Sequence, residues 1–235
     1  MNLIDFHTHI LPGIDDGSAD VNESLALLRL EAEQGIHTVI ATPHFYPQQD
    51  TLERFLQGRD NAFAKLCDQM RQTQDIPQLL LGAEVGFFHG MSQSDQLEWL
   101  TIGGKKCILI EMPSLPWTEE MYRELEMIYL QREIVPIIAH IDRYLNFANY
   151  RMILRRIEHL PIAVQANASF FRKRWASALA LRMLKEDRIH LLGSDCHNLR
   201  ARRPNMDVAI QKIRTKLGED ALERIQNHQH ALLGM

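Results

Sequence analysis

Leu3-Ile4-Asp5-Phe6-His7-Thr8-His9, with the turn Asp15-Asp16-Gly17 close behind, is the stretch around which the chain is arranged. Apolar Leu3, Ile4 and Phe6 mark a short buried strand. Side chains alternate faces along a strand, so His7 and His9 point the same way, about 7 Å apart. Two imidazoles so placed at a strand end can grip one metal ion, and Asp16 in the following loop can add a carboxylate.

Outward from that stretch, the same organisation repeats. The expected strands are Leu3–His9, Thr38–Thr42, Gln78–Leu81, Lys106–Ile110, Ile134–Ala139, Ile162–Gln165 and Ile189–Leu192. Helical patterns intervene: Asn22–Gln34, a helix ending near Arg71, Glu119–Glu133, Tyr150–His159 and Trp175–Glu186. Met206–Leu217 and Glu219–Ile225 close the chain. Asp20 with Glu23 predicts a capping box, and Gly35 a helix stop. Several strands are near-continuous apolar runs, as parallel strands buried on both faces are. Alternating β and α imply right-handed crossovers, and seven such units predict an α/β fold, a distorted (β/α)7 TIM-like barrel. An open doubly wound sheet is the alternative, weakened because no glycine-rich phosphate loop follows the first strand.

Composition narrows the function classes. The 235 residues are 46% hydrophobic and 24% charged, which predicts one domain over residues 1–235. A net charge of −4 argues against bulk nucleic-acid binding. Cys67, Cys107 and Cys196 are odd in number and far apart, which fits a reducing cytoplasm. No basic leader begins the chain, and no run reaches the roughly 18 apolar residues of a membrane span. The expectation is a cytoplasmic protein without membrane insertion.

In α/β barrels chemistry collects at the C-terminal ends of the strands. Here those ends carry His7 and His9, His44, Glu84, Glu111, His140, Asn167, and Asp195 with His197. A lone His or Glu at a strand end is ordinarily solvated; a full ring of them predicts a metal site. Mixed imidazole and carboxylate donors suit Mn2+, Fe2+, Zn2+ or Co2+ better than Mg2+ alone. With Asp16 the candidates are too many for one ion, so two or three ions are expected, with Glu84 as a bridge. Arg143 and Arg202 lie beside these ligands in sequence, and guanidinium groups match phosphate oxygens bidentately. Arg200 and Arg203 are expected to be solvated. Metals with arginines point to phosphate ester hydrolysis, by in-line attack of a metal-bridging hydroxide.

These residues resemble the PHP superfamily (polymerase and histidinol phosphatase). They look most like its manganese-dependent bacterial protein-tyrosine phosphatases of the CpsB/CapC type, which act in capsule and exopolysaccharide systems. The matching pieces are Asp5 to Ser18, Ala41 to His44, Gly82 to Glu84, Ile110-Glu111, Ile138 to Tyr144, Gln165 to Asn167, and Ser194 to Asn198, spanning nearly the whole chain. The resemblance implies three ions: one on His7, His9, Glu84 and Asp195, a second on Glu84, Glu111 and His140, a third on Asp16, His44 and His197. It implies phosphate binding by Arg143 and Arg202. The implied substrate is the phosphotyrosine-bearing tail of a membrane-associated tyrosine kinase.

The chain departs from the family pattern in two places. Asp142 stands where family members often have Glu, and Phe45 and Tyr46 stand where basic residues are expected in some members. Phe45, Tyr46 and Trp117 are expected as loop packing, with an aromatic cradle for substrate as the alternative. Cys196 and Arg202 have the Cys-x5-Arg spacing of thiolate phosphatases, but no glycine intervenes and Asp195 opposes a thiolate. That spacing is read as coincidence, with Cys196 facing away from the metals. A small-molecule phosphoesterase of the histidinol-phosphatase type and a non-catalytic metal-binding module are the rival functions. His228 and His230 are expected on the surface.

Overall fold

The computed structural model of the protein describes residues 2–145, 150–172 and 174–235. Strands and helices alternate: β1 (Leu3–Thr8), α1 (Val21–Glu33), β2 (Ile36–Ala41), β3 (His44–Phe45), α2 (Leu52–Met70), β4 (Gln78–Leu81), β5 (Glu84–Gly86), β6 (Cys107–Glu111), α3 (Glu119–Arg132), β7 (Val135–Ile138), α4 (Ile141–Tyr144), α5 (Tyr150–Ile157), β8 (Ala163–Asn167), α6 (Arg174–Lys185), β9 (Leu191–Gly193), α7 (Met206–Leu217) and α8 (Glu219–Leu233). All strand pairs are parallel, in the orders β1-β2-β4 and β3-β5-β6-β7-β8-β9. This is a mixed α/β fold built on a curled parallel sheet.

Two expected strands are each followed by a short further strand that the sequence reading did not include. Pro43 lacks an N–H and interrupts the ladder after β2, so His44–Phe45 restart as β3. After β4 the chain turns at Gly82-Ala83 and restarts as β5, which places Glu84 at the start of a second short strand rather than at the end of the first. At the far edge, Asp195 donates its N–H to His7 O (2.8 Å) and His9 donates to Cys196 O (2.9 Å). Those bonds bring the end of β9 against the end of β1. Gly193 permits the approach, because a Cβ there would lie 2.6 Å from His7 Cβ.

Alternation sorts the apolar residues. In β6, Cys107 and Leu109 join one buried cluster with Ile4, Phe6 and Ile137; Ile108 and Ile110 join the larger cluster beneath the helices. Helix α1 starts on Asp20, whose side chain accepts from the N–H of Asn22 and Glu23; Glu23 returns a bond to the N–H of Ala19. Gly35 ends the turn with φ +80°, as expected.

The terminal helix is longer than the expected Glu219–Ile225: α8 continues to Leu233. Its buried stripe of Ala221, Leu222, Ile225, Gln229 and Leu233 includes a polar residue that hides the pattern in sequence. Gln229 is buried because its amide bonds both the N–H and the carbonyl of Ile4 (3.1 and 2.8 Å). His228 and His230 lie at the surface as expected, partly exposed, with His228 Nε2 3.0 Å from Asp187 Oδ1. Among the described residues, no helix is long and apolar enough to cross a membrane.

Candidate metal centre

The C-terminal ends of the strands bring the predicted residues together in a graded arrangement. His7, His9, Glu84 and His140 form a buried floor, Asp195 and His197 are nearly buried, His44 and Glu111 are half-buried, and Asp16 is exposed at the rim. Glu84 is central. Its Oε2 lies 3.1 Å from His7 Nε2, 3.2 Å from His9 Nε2 and 3.0 Å from His44 Nδ1, and its Oε1 lies 2.7 Å from His140 Nε2. His140 Nε2 is also 3.4 Å from Glu111 Oε1. Asp195 Oδ1 is 3.6 Å from His7 Nε2 and 3.5 Å from His9 Nε2. Asp16 Oδ1 is 3.5 Å from His44 Nε2 and 3.4 Å from His197 Nε2.

Three donor groups follow from this geometry: His7, His9 and Asp195; His44, Glu84 and Glu111; and His9, Asp16, His44 and His197. His140 joins the middle group through Glu84 and Glu111. The donor set fits divalent ions. Glu84 Oε2 and His197 Nε2 are buried with donor and acceptor atoms close by yet make no aligned hydrogen bond, and the donors are mixed nitrogen and oxygen.

Electrostatics bind the cluster. Burial alone would raise the Glu84 carboxyl, but His7, His140 and His44 hold it well below the usual carboxylate range. Burial opposes ionisation of Asp195 too, and His7 and His9 hold it well below its ordinary value. Burial would depress the His9 imidazole; Asp15, Asp195 and Glu84 outweigh that and hold it well above the ordinary value. His140 is raised to about 9, since Glu111 and Glu84 overcome its burial. His197 goes the other way, to about 4, through burial and the neighbouring His9.

Backbone strain sits in the same place. His140 (φ 34°) and Asp195 (φ 54°) are non-glycine residues in the left-handed region. Each costs on the order of 1 kcal/mol and persists only where its surroundings fix it. His140 is fixed by Gln165 Oε1, which accepts its N–H. Asp195 is fixed by the bond to His7 O and by Asn167, whose Nδ2 donates to Asp195 Oδ2 (3.0 Å).

Arg143 and Arg202 converge on this rim. Arg143 donates to Glu111 Oε1 (2.8 Å) and Asp195 Oδ2 (3.0 Å); Arg202 donates to Asp195 Oδ1 (2.8 Å). Asn198 returns Arg202 to the site: its Oδ1 accepts the N–H of Arg200, Ala201 and Arg202. Arg200 and Arg203 stay exposed.

Several contributors carry no motif of their own. Asp15 Oδ2 accepts from His9 Nδ1 (2.7 Å) and from the N–H of His44 (3.1 Å). Its place beside Asp16 and within the matching piece Asp5 to Ser18 was the signal in sequence. Tyr46 donates to Glu111 Oε2 (2.6 Å) and stacks on His44, so it belongs to the site. Phe45 packs on Phe55, and Trp117 packs on Tyr122 and Tyr144, as expected of loop packing. Behind the floor, Asp5 Oδ1 accepts the N–H of His7 (3.1 Å) and of Ser194 (2.9 Å). Burial pushes up Asp5 and its buried neighbour Glu31. Cys196 is fully buried, and burial together with Glu31 and Asp5 pushes its thiol well above the ordinary value.

A family model described as "Capsular polysaccharide synthesis, CpsB/CapC" matches residues 3–233. The chain belongs to the CpsB/CapC family. Within reach of this CpsB/CapC chain is the tyrosine-protein phosphatase YwqE of Bacillus subtilis (strain 168), 28% identical over 98% of this chain and 91% of the relative. The tyrosine-protein phosphatase CpsB of Streptococcus pneumoniae is 29% identical over 92% of this chain and 91% of the relative. A solved structure described as "Crystal structures of YwqE from Bacillus subtilis and CpsB from Streptococcus pneumoniae, unique metal-dependent tyrosine phosphatases" superposes with a TM-score of 0.79. It covers 98% of this chain and 94% of its own at 24% identity, which shows a shared fold.

Proposed function

We propose that the chain is a metal-dependent protein-tyrosine phosphatase, one domain over residues 1–235 with its strands in a distorted (β/α)7 barrel. The observation that carries this reading is the convergence of Arg143 and Arg202 on Asp195, at the edge of a floor of imidazoles and carboxylates. The CpsB/CapC relatives named as tyrosine-protein phosphatases support it.

His7, His9, Glu84 and Asp195 would hold one ion, Glu84, Glu111 and His140 a second, and Asp16, His44 and His197 a third. Mn2+ is the ion proposed. Ions held there supply hydroxide at neutral pH and neutralise phosphate oxygens. The chain's own residues do the rest. Arg143 and Arg202 bind the non-bridging oxygens and hold phosphorus in line. The Tyr46 hydroxyl keeps Glu111 oriented, and Asp15 keeps His9 oriented. The leaving phenolate has a pKa near ~10, so a strong general acid is unnecessary. Cys196 takes no part. The proposed partner is the phosphotyrosine-bearing tail of a membrane-associated tyrosine kinase, met in the cytoplasm.

Relative turnover tests the substrate class. Manganese-loaded protein should hydrolyse a phosphotyrosine peptide far faster than a phosphoserine peptide or histidinol phosphate. Preference for histidinol phosphate would move the reading to small-molecule hydrolysis. Bound metal with no turnover of any ester would leave a binding module.

A further inference from the structure

Beside the metal centre lies a groove of about 500 Å³ between the Pro12–Ile14 loop and helix α2. It continues into the mouth of the site, a second hollow of about 470 Å³ that includes Asp15, Asp16 and Tyr46. Ile14, His44, Asp50 and Arg54 line both, so the two form one continuous channel. Arg54, Gly58, Asn61 and Lys65 line the groove from α2 at i, i+4, i+7 and i+11, a single helical stripe. From Arg54 to Lys65 the helix rises about 16 Å, the length of about five extended residues.

Two features separate this stripe from an ordinary solvated face. Gly58 sits in the middle of α2, where glycine destabilises a helix relative to alanine. Packing does not demand it: an added Cβ would meet only Ile14 Cδ1, at 3.9 Å. A side chain there would narrow the groove instead. The second feature is charge. Arg54 and Lys65 bring two cations against one lining carboxylate, Asp50, in a chain whose net charge is −4. Asp50 pairs with Arg54 at 3.6 Å, which leaves Lys65 at the far end without an acidic partner among the lining residues.

We propose that this groove is the subsite for the extended peptide segment flanking the phosphotyrosine, and that Lys65 selects an acidic side chain about five residues away. The inference rests on the phosphatase reading and names what that site recognises beyond the phosphate. Polar Asn61 and the pyrrolidine of Pro12 suit backbone and apolar contacts along the segment. Gly58 leaves room for the peptide backbone.

The test uses the full chain loaded with Mn2+ and two variants, Gly58→Leu, which fills the groove, and Lys65→Glu, which reverses its far charge. Both lie on the outer face of α2 and leave the metal ligands in place. Substrates are p-nitrophenyl phosphate and phosphotyrosine peptides bearing Glu or Lys about five residues from the phosphotyrosine. Gly58→Leu should lower kcat/KM for the peptides at least tenfold relative to p-nitrophenyl phosphate, mainly through KM. Lys65→Glu should invert the preference for Glu over Lys. Equal changes for peptide and aryl phosphate, or none, would overturn the groove assignment. Affinity for the same peptides with a non-hydrolysable phosphonate in place of the phosphate separates the two claims. If the unsubstituted protein hydrolyses nothing, tenfold weaker binding by Gly58→Leu still supports the groove while the phosphatase reading fails. Unaltered binding overturns the groove itself.

Discussion

Asp15 Oδ2 stands 2.7 Å from His9 Nδ1, and this contact fixes which face of the imidazole looks into the cluster. With Nδ1 donating to Asp15, Nε2 is left for Glu84, Asp195 and His7 at 3.2, 3.5 and 3.1 Å. A carboxylate behind a ligating histidine typically contributes about 10- to 100-fold in metal affinity. Asp15→Ala should therefore weaken Mn2+ binding by about that factor. Calorimetric titration of chelator-stripped protein measures it; unchanged affinity would remove Asp15 from the centre.

Arg143 and Arg202 should be separable from metal binding. Removing a group that stabilises transition-state charge costs about 100- to 1,000-fold in turnover. Arg202→Ala and Arg143→Ala should each lose activity on that scale while metal content, measured by elemental analysis, stays near that of the unsubstituted protein. A loss of metal matching the loss of activity would recast these arginines as supports for Asp195 and Glu111.

Protons compete with metal at this site, and the direction is set by His140. Its folded pKa of about 9 is above the unfolded imidazole value of about 6.5. Its contribution to the stability of metal-free protein is thus fully present below pH ~6.5 and lost as pH rises through about 9. Metal binding displaces that proton, so Mn2+ affinity should rise between pH 6.5 and 9 while the Tm of metal-free protein falls. Titration in two buffers of different ionisation enthalpy should reveal proton release; its absence would contradict the shift.

Glu31 is a carboxyl buried against Asp5 and raised well above its usual range. A raised carboxyl retains a proton in the fold that the unfolded chain gives up above pH ~4.3, so stability falls as pH rises past that value. Glu31→Gln should flatten the dependence and raise Tm at neutral pH. A lower, still pH-dependent Tm would show that the carboxyl itself is required.

Cys196 is fully buried, and burial together with Glu31 and Asp5 disfavours its thiolate. Cys196→Ser should retain most metal-dependent activity, with a stability cost of about 1–2 kcal/mol for the buried hydroxyl. Complete loss of turnover in a folded variant would revive the thiolate mechanism.

The parts of the site legible in sequence were those that repeat. His7 and His9 share a face by strand alternation alone, and each later strand end supplied its own His, Asp, Glu or Asn. Apolar runs such as Cys107 to Ile110 announced parallel strands, and Asp20 and Gly35 bounded α1. What was hidden depends on contacts remote in sequence. Gln165 holds His140, Gln229 holds Ile4 and Asn198 turns Arg202 back; Gln165 and Asn198 lie in matching pieces, but the role of each shows only once the strands are side by side. The breaks at Pro43 and Gly82 were visible as residues, but their consequence, a restarted strand carrying Glu84, follows from pairing with β3 and β6. The end of α8 was missed because a buried glutamine interrupts its apolar stripe.

The measurement that tests the central claim most directly is hydrolysis of a phosphotyrosine peptide by chelator-stripped protein, before and after Mn2+ is returned. The geometry predicts negligible turnover without metal and recovery on adding Mn2+, abolished again by Glu84→Gln. Equal turnover with and without metal would contradict the account.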